Sequence, residues 1–327
     1  MLECNQAGKY RITDARGENI RLSKVRDEAL SRVIRYAMHH KISRFWIDQE
    51  CIPQNESREK QVAMDSMDLV YRHSRYPVGL LAIKLESQHE VDTLQELLMG
   101  RFVFQSDKEE YTKVAYPACS QASLAMFRVL GRLYADRWWT RAWIFQEEYL
   151  SSTNMHLLIR CKPGVEAKYK FGILRGELCV NAADFREQAT LFLLAFKQET
   201  DHKLSKKCAK MLKRFGKYNV QYHFQHDARR KAMSPRVFAD IQRRGLEQPF
   251  DHLPIAANSC DYALRFVSQQ MLTRGFSVGL CLLAMFLLNG EILRNARDIK
   301  KSPTEMDVCN YLKDADFMKS LYTDKDS

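Results

Sequence analysis

The sequence predicts an α/β fold: a parallel sheet with flanking helices, followed by a mostly helical C-terminal region. Three observations carry that reading. Amphipathic helical segments alternate with short apolar runs over the first eighty-five residues, the rhythm of a parallel sheet with crossover helices. The apolar runs lack polar alternation, as burial on both faces requires. The chain ends in segments whose apolar residues recur at helical spacing.

Ser23 to His40 reads as the first helix, with Leu30, Val33, Ile34, Ala37 and Met38 on one face and Arg26, Asp27, Arg32 and Arg35 on the others. Phe45-Trp46-Ile47 is a short apolar run ending in Asp48, a buried-strand signal, and Pro53 marks the loop after it. Ser57 to Tyr71 is helical again, aligning Ala63, Met67, Val70 and Tyr71. Pro77 opens a second strand, Val78–Ile83, expected to lie beside Phe45–Asp48. Residues 88–104 and 120–136 read as helices, with polar Gln105–Ala118 as a loop between them. Met155–Ile159 and a pair within Phe171–Val180, around Arg175-Gly176, read as short strands, and Ala182–Lys197 as a helix. Helices near 261–273, 275–288 and 304–322 close the chain. The expected division is 1–150, an α/β domain; 151–196, strands and helix completing or extending it; 197–250, a basic linker; and 251–327, the helical C-terminal region.

Composition narrows the function class. A chain of 327 residues with 46% hydrophobic and 28% charged residues has room for about two domains and is neither disordered nor collagen-like. Thirteen glycines are few for a phosphate cradle, and neither G-x-x-x-x-G-K-[ST] nor G-x-G-x-x-G occurs. The nine cysteines are scattered and form no C-x-x-C or Cys/His quartet, so reduced thiols, no metal and a cytoplasmic location are expected. No apolar signal core opens the chain. The longest apolar run, Phe276–Leu288, falls short of the ~20 residues of a membrane span, so a buried helix and no transmembrane segment are expected. The charge of +11 is uneven, net +2 over residues 1–160 and +9 over 161–327. Residues 197–244 hold fourteen Lys/Arg against four Asp/Glu. That stretch reads as a solvated helix plus linker, in preference to a module binding nucleic acid or anionic membrane.

Asp48, ending an expected parallel strand, stands where α/β folds place ligand groups. The simpler reading is a carboxylate bonding the backbone of the 49–54 turn. Cys51 reads as a buried structural thiol, with no histidine base implied nearby. Gly275-Phe276-Ser277-Val278-Gly279 matches G-x-S-x-G, but a nucleophile elbow needs a preceding strand, so Ser277 is expected at a helix start. His223 and His226 lie in a polar stretch without cysteine or carboxylate companions and read as solvated.

Three segments together resemble the fungal heterokaryon-incompatibility (HET) domain. Trp46-Ile47-Asp48-Gln49-Glu50-Cys51-Ile52-Pro53-Gln54 is similar to that family's W-I-D-x-x-C-I-x-Q. Glu59-Lys60-Gln61-Val62, with Met64, Met67 and Tyr71, is similar to its second, helical signature. Trp139-Thr140-Arg141-Ala142-Trp143-Ile144-Phe145-Gln146-Glu147 is similar to its W-x-R-x-W-x-x-Q-E. The motif residues are thus Trp46, Ile47, Asp48, Cys51, Gln54, Gln61, Arg141, Trp143, Gln146 and Glu147, and the likeness covers about residues 20–150. Leu253–Asn258 and Leu287–Ile292 carry a softer likeness downstream.

The resemblance implies a flavodoxin-like α/β domain distantly akin to TIR domains. It implies a role in fungal self/non-self recognition and programmed cell death, with other incompatibility or cell-death proteins, or a second copy of the chain, as partners and no required cofactor. It also implies an opening strand of the L-S-Y-x-W-G kind, which is not seen before Tyr10, so a domain incomplete at its N-terminus is expected. Through the TIR likeness it implies a second reading, with NAD as substrate and Glu147 as catalytic carboxylate one helical turn after Trp143. Asp48 then meets a ribose hydroxyl, Trp138, Trp139 or Trp143 a ring, and Arg137 or Arg141 the pyrophosphate. The simpler reading of that cluster is tryptophan packing, with Arg141 paired to Glu147 or Glu148.

Overall fold

The computed structural model describes residues 10–105, 112–215 and 244–290, apart from Ala15, Asn19 and Glu56, together with Val237 and Ile241. In chain order the elements are β1 (Arg11–Ile12), β2 (Arg21–Leu22), α1 (Asp27–His39), α2 (Asp48–Cys51), α3 (Arg58–Asp65), α4 (Met67–His73), β3 (Val78–Leu85) and α5 (Gln88–Leu98). There follow β4 (Val103–Gln105), β5 (Thr112–Val114), α6 (Gln121–Tyr134), α7 (Ala142–Leu150), β6 (His156–Cys161), β7 (Glu177–Asn181), α8 (Ala182–Glu199) and α9 (His202–Phe215). The last described elements are α10 (His252–Cys260), α11 (Ser268–Thr273) and α12 (Val278–Leu288). The described residues form two compact units. One takes those up to Ala63, Val70–Trp139 and those from Ser151 to 215; the other takes Met64–Leu69, Thr140–Leu150 and those from 237 onward.

The first unit is α/β. Its three-stranded sheet has the order β3-β6-β7, with β3 parallel to β6 and β7 antiparallel to it. The sheet is therefore mixed. The central strand β6 and its neighbour β7 are buried almost throughout, the property that makes their sequences continuous apolar runs. Helices α5, α6 and α8 pack around a core of fully buried Leu94, Leu97, Leu130, Leu133, Phe192 and Phe196. Hydroxyl and amide caps start these helices. Ser87 accepts from the Glu90 N–H, Ser120 from Ser123, and Asn181 from Ala183 and Asp184.

The pairing of β3 with β6 breaks between Leu80 and Lys84. A broken ladder leaves backbone groups without strand partners. Side chains supply them. Arg32 donates to the Leu81 carbonyl at 2.9 Å, and Arg160 to that of Ala82 at 2.6 Å. Asp136 accepts from the Ile83 N–H at 2.7 Å, and Arg132 donates to the Lys84 carbonyl at 2.7 Å. Arg32 also reaches the Leu158 carbonyl on β6 at 2.7 Å and makes a bidentate pair with buried Glu177, at 2.8 and 2.9 Å. A second cluster surrounds Tyr36, whose ring meets His40 edge-on at 4.5 Å while His40 stacks on Tyr76 at 4.5 Å.

Several expected elements take another form. Phe45–Asp48 is not a strand. The N–H groups of Glu50 and Cys51 both bond the Ile47 carbonyl, so the backbone turns into α2 at once, and Phe45 is exposed. The 88–104 helix stops at Leu98, and residues 103–105, at the end of that expected helix and the start of the expected loop, pair antiparallel with 112–114; residues 106–111 lie outside the described ones. Buried Phe102 and Val114 anchor it. Of the pair expected in Phe171–Val180 only β7 is a strand, because a 3-10 turn at Tyr169–Phe171 and the Glu177 N–H bonded to the Leu174 carbonyl use the residues before it. Ser57–Tyr71 is two helices, and 261–273 is helical only over Ser268–Thr273.

In the second unit α10 packs on α7 and on α12. Ser277 caps α12 by accepting from the Leu280 N–H, a helix start and not a nucleophile elbow. No helix among the described residues is long and apolar enough to cross a membrane. The 304–322 helix, the pair His223/His226 and most of the basic stretch after α9 lie outside the described residues.

Candidate functional site

The first motif segment is organised by a residue that its pattern leaves unassigned. The Glu50 carboxylate accepts from the Ser23 hydroxyl at 2.6 Å and from the N–H groups of Lys24 and Val25 at 2.6 and 3.1 Å, and pairs with Arg21 at 2.7 Å. It thereby ties the α2 turn to the chain entering α1. Burial pulls this carboxyl upward, but the bonds from Ser23, Arg21 and the two backbone N–H groups outweigh it and hold it below its ordinary value. Asp48 opens α2 and accepts from the Gln49 N–H at 2.8 Å, a carboxylate engaged with its own turn. Trp46 packs edge-on against Tyr71 at 5.8 Å, and the Gln54 amide donates to the Ile52 carbonyl at 2.8 Å. Ile52 takes the buried position of this turn, which leaves Cys51 exposed and not the buried thiol expected.

Acidification therefore destabilises the first unit in two stages. Burial lowers the His40 pKa below 6.5, helped by His39 and His156; burial likewise lowers that of His156, against the opposing pull of the Asn154 carbonyl and Asp184. A depressed folded pKa means the unfolded chain binds the proton first, so this contribution is complete above about pH 6.5 and is lost as pH falls toward the folded values. The Glu50 contribution follows, complete above its unfolded value near 4.5 and lost below it. Denaturant midpoints measured from pH 7.5 to 4 are expected to fall first below about 6.5, and His40→Gln is expected to flatten that step. A midpoint that does not move between pH 7.5 and 5 refutes the assignment.

The third segment begins in the first unit. Asp136 is buried and accepts from both the Trp138 N–H at 2.8 Å and the Ile83 N–H. It fixes the 3-10 turn Arg137–Thr140 against β3. Trp138 lies so close to Gly79 that a Cβ there would come within 2.7 Å of the indole, which explains a glycine inside this strand. Trp139 is fully buried, edge-on to Trp138 at 4.6 Å and stacked on Phe185 at 6.1 Å, with the Arg186 guanidinium over its ring at 4.9 Å. Both indoles are buried.

The remainder of the segment belongs to the second unit. Thr140 and Ala142 bond the backbone of Gly245 on either side of Arg141. Arg141 is exposed and forms no ion pair among the described residues, so the expected pairing with Glu147 or Glu148 is absent. Trp143 is half-buried and donates through Nε1 to Asp251 at 3.2 Å. Glu147 is half-buried one turn later on α7, and Glu148 is the more buried of the two acids. Gln146 is fully buried, and its amide nitrogen and oxygen have no hydrogen-bond partner among the described residues. An amide in that state costs about 1–3 kcal/mol, which packing alone does not explain. Of the sequence-predicted ligand groups, Asp48 and Trp138 thus sit in the first unit and Arg141, Trp143 and Glu147 in the second.

Sequence reasoning missed Glu50 and Asp136, because their work is to hold backbone N–H groups far away in the chain. No signal in spacing reveals such partners. Among the described residues no group of three or more His, Cys, Asp or Glu could hold a metal ion. Burial pushes the Cys161 and Cys208 thiols up to about 11 and that of Cys179 to about 12, so these are protonated packing groups.

No curated protein and no solved structure matches the chain. The model of one family does, heterokaryon incompatibility protein (HET), over residues 4–147. The motif segments 46–54 and 137–147 lie within that span, and this part of the chain is similar to the HET family.

Proposed function

We propose that this chain acts as a heterokaryon-incompatibility-type signalling protein in fungal self/non-self recognition, promoting programmed cell death from the cytoplasm through association with other incompatibility or cell-death proteins. The family match over residues 4–147 carries the reading. Within that span Glu50, Asp136 and Trp139 hold backbone and core in place. Such residues maintain a recognition shape.

The test is inducible expression of the chain in a filamentous fungus, with viability scored after induction. Loss of viability is expected, and Glu147→Gln is expected to kill as wild type does. Sustained growth at verified protein levels counts against the proposal. Release of nicotinamide from NAD by purified protein, absent in Glu147→Gln, replaces it with the enzymatic reading, in which Glu147 is the catalytic carboxylate and NAD the substrate.

A further inference from the structure

Helix α9 carries no acidic residue across His202–Phe215. Its five lysines, Lys203, Lys206, Lys207, Lys210 and Lys213, are all exposed. At 3.6 residues per turn they fall within roughly 120° of arc and span roughly 15 Å of helix axis. None has an ion-pair partner among the described residues. The preceding acid Asp201 is engaged elsewhere, accepting from the Leu204 N–H at 2.8 Å. The opposite face is anchored: Cys208 and Met211 are buried, and α9 packs on α8 and α6. The lysines therefore form a fixed ridge on a docked helix. A cluster of like charges without counter-charges raises its own electrostatic energy, which an anionic partner relieves.

We propose that this ridge binds the phosphate backbone of a nucleic-acid duplex without reading its sequence. A duplex presents one negative charge per ~1.7 Å of axis, so a 15 Å ridge faces at least as many phosphates as it has lysines. Between His202 at its start and Arg214-Phe215 at its end, the helix offers no Arg, Asn, Gln or aromatic side chain, the groups that read base edges or stack on bases. A membrane fits less well. The apolar face of α9 is already packed, and its lysine face carries none of the large exposed apolar side chains. Membrane anchoring by charge alone lacks the second signal that makes it stable.

The experiment uses the full chain and short labelled DNA and RNA duplexes of one sequence, titrated between 50 and 200 mM salt. The variant is Lys206→Gln/Lys210→Gln/Lys213→Gln, since glutamine keeps helix propensity, with far-UV circular dichroism confirming the fold. The control removes equal charge elsewhere, Lys24→Gln/Lys41→Gln/Lys162→Gln. Wild type is expected to bind at least one duplex. The α9 triple is expected to reduce the slope of log affinity on log salt by about 2.7 and to weaken binding at least about tenfold at the lower salt, while the control shifts the slope by less than about 1. The DNA and RNA arms show which duplex is preferred. Failure to bind either duplex overturns the proposal, as does equal loss in both triples. Capture by phosphatidylserine vesicles without duplex binding assigns the ridge to membrane instead.

Discussion

Truncation of Trp139 to alanine is expected to lower the unfolding free energy by about 3–5 kcal/mol, measured by denaturant titration. The indole is fully buried between Trp138, the ring of Phe185 and the guanidinium of Arg186. Phe185 and Arg186 are carried by α8, so deletion of the ring removes the packing that joins the 3-10 turn to that helix as well as leaving a void. A cavity there closes poorly, because Asp136 holds the turn to β3 by two backbone hydrogen bonds. Trp143, half-buried, serves as the internal comparison. If Trp139→Ala costs less than Trp143→Ala, the assignment of Trp139 as the structural tryptophan of the motif fails.

Glu177→Ala is expected to cost a similar 3–5 kcal/mol, because it strands the Arg32 guanidinium in the core without its counter-charge. Glu177 is 1% exposed and Arg32 6%. Arg35, the other partner of Glu177 at 3.0 Å, is 42% exposed and turns to water without penalty, so Arg32 sets the cost. Replacing Arg32 and Glu177 together by leucine removes the stranded charge but leaves the Leu81 and Leu158 carbonyls without a donor. The double variant is therefore expected to cost less than the sum of the singles without returning to wild type. The surface pair Arg101–Glu96 gives the contrast: its removal is expected to stay within about 0.5 kcal/mol. A Glu177→Ala cost below about 1 kcal/mol rules out a buried, obligatory pair.

The parts of the fold legible in the sequence are those set by apolar periodicity. α1, α6 and α8 show it at helical spacing, and β3 and β6 as runs without alternation. The same signal misled at Phe45–Ile47, where three apolar residues precede a turn whose N–H groups capture the Ile47 carbonyl. β4 and β5, three residues each, are too short for periodicity to mark. Arg32 shows why the site was harder to read. On a helical wheel it belongs to the polar faces of α1, yet it is buried, because its partner Glu177 lies 145 residues away. The family motif was legible as a pattern. The residues that hold its segments in place were not, since Glu50 and Asp136 act on backbone that spacing does not reveal.

The side chains that complete β3 lie 49, 78, 53 and 48 residues from the groups they serve. Such closures have a kinetic consequence. Each closure must overcome loop entropy before its hydrogen bond forms, and contacts so far apart in the chain slow folding. Once closed, the arrangement resists partial opening. Withdrawing α1 leaves the buried Leu81 carbonyl without its donor, and withdrawing α6 does the same to the part-buried Lys84 carbonyl, a penalty that grows with each hydrogen bond broken. Among the described strands β3 lies at the edge of its sheet, and these side chains cover groups that such an edge leaves open; the Ile83 amide, held by Asp136, is expected to exchange more slowly than an edge amide without a partner.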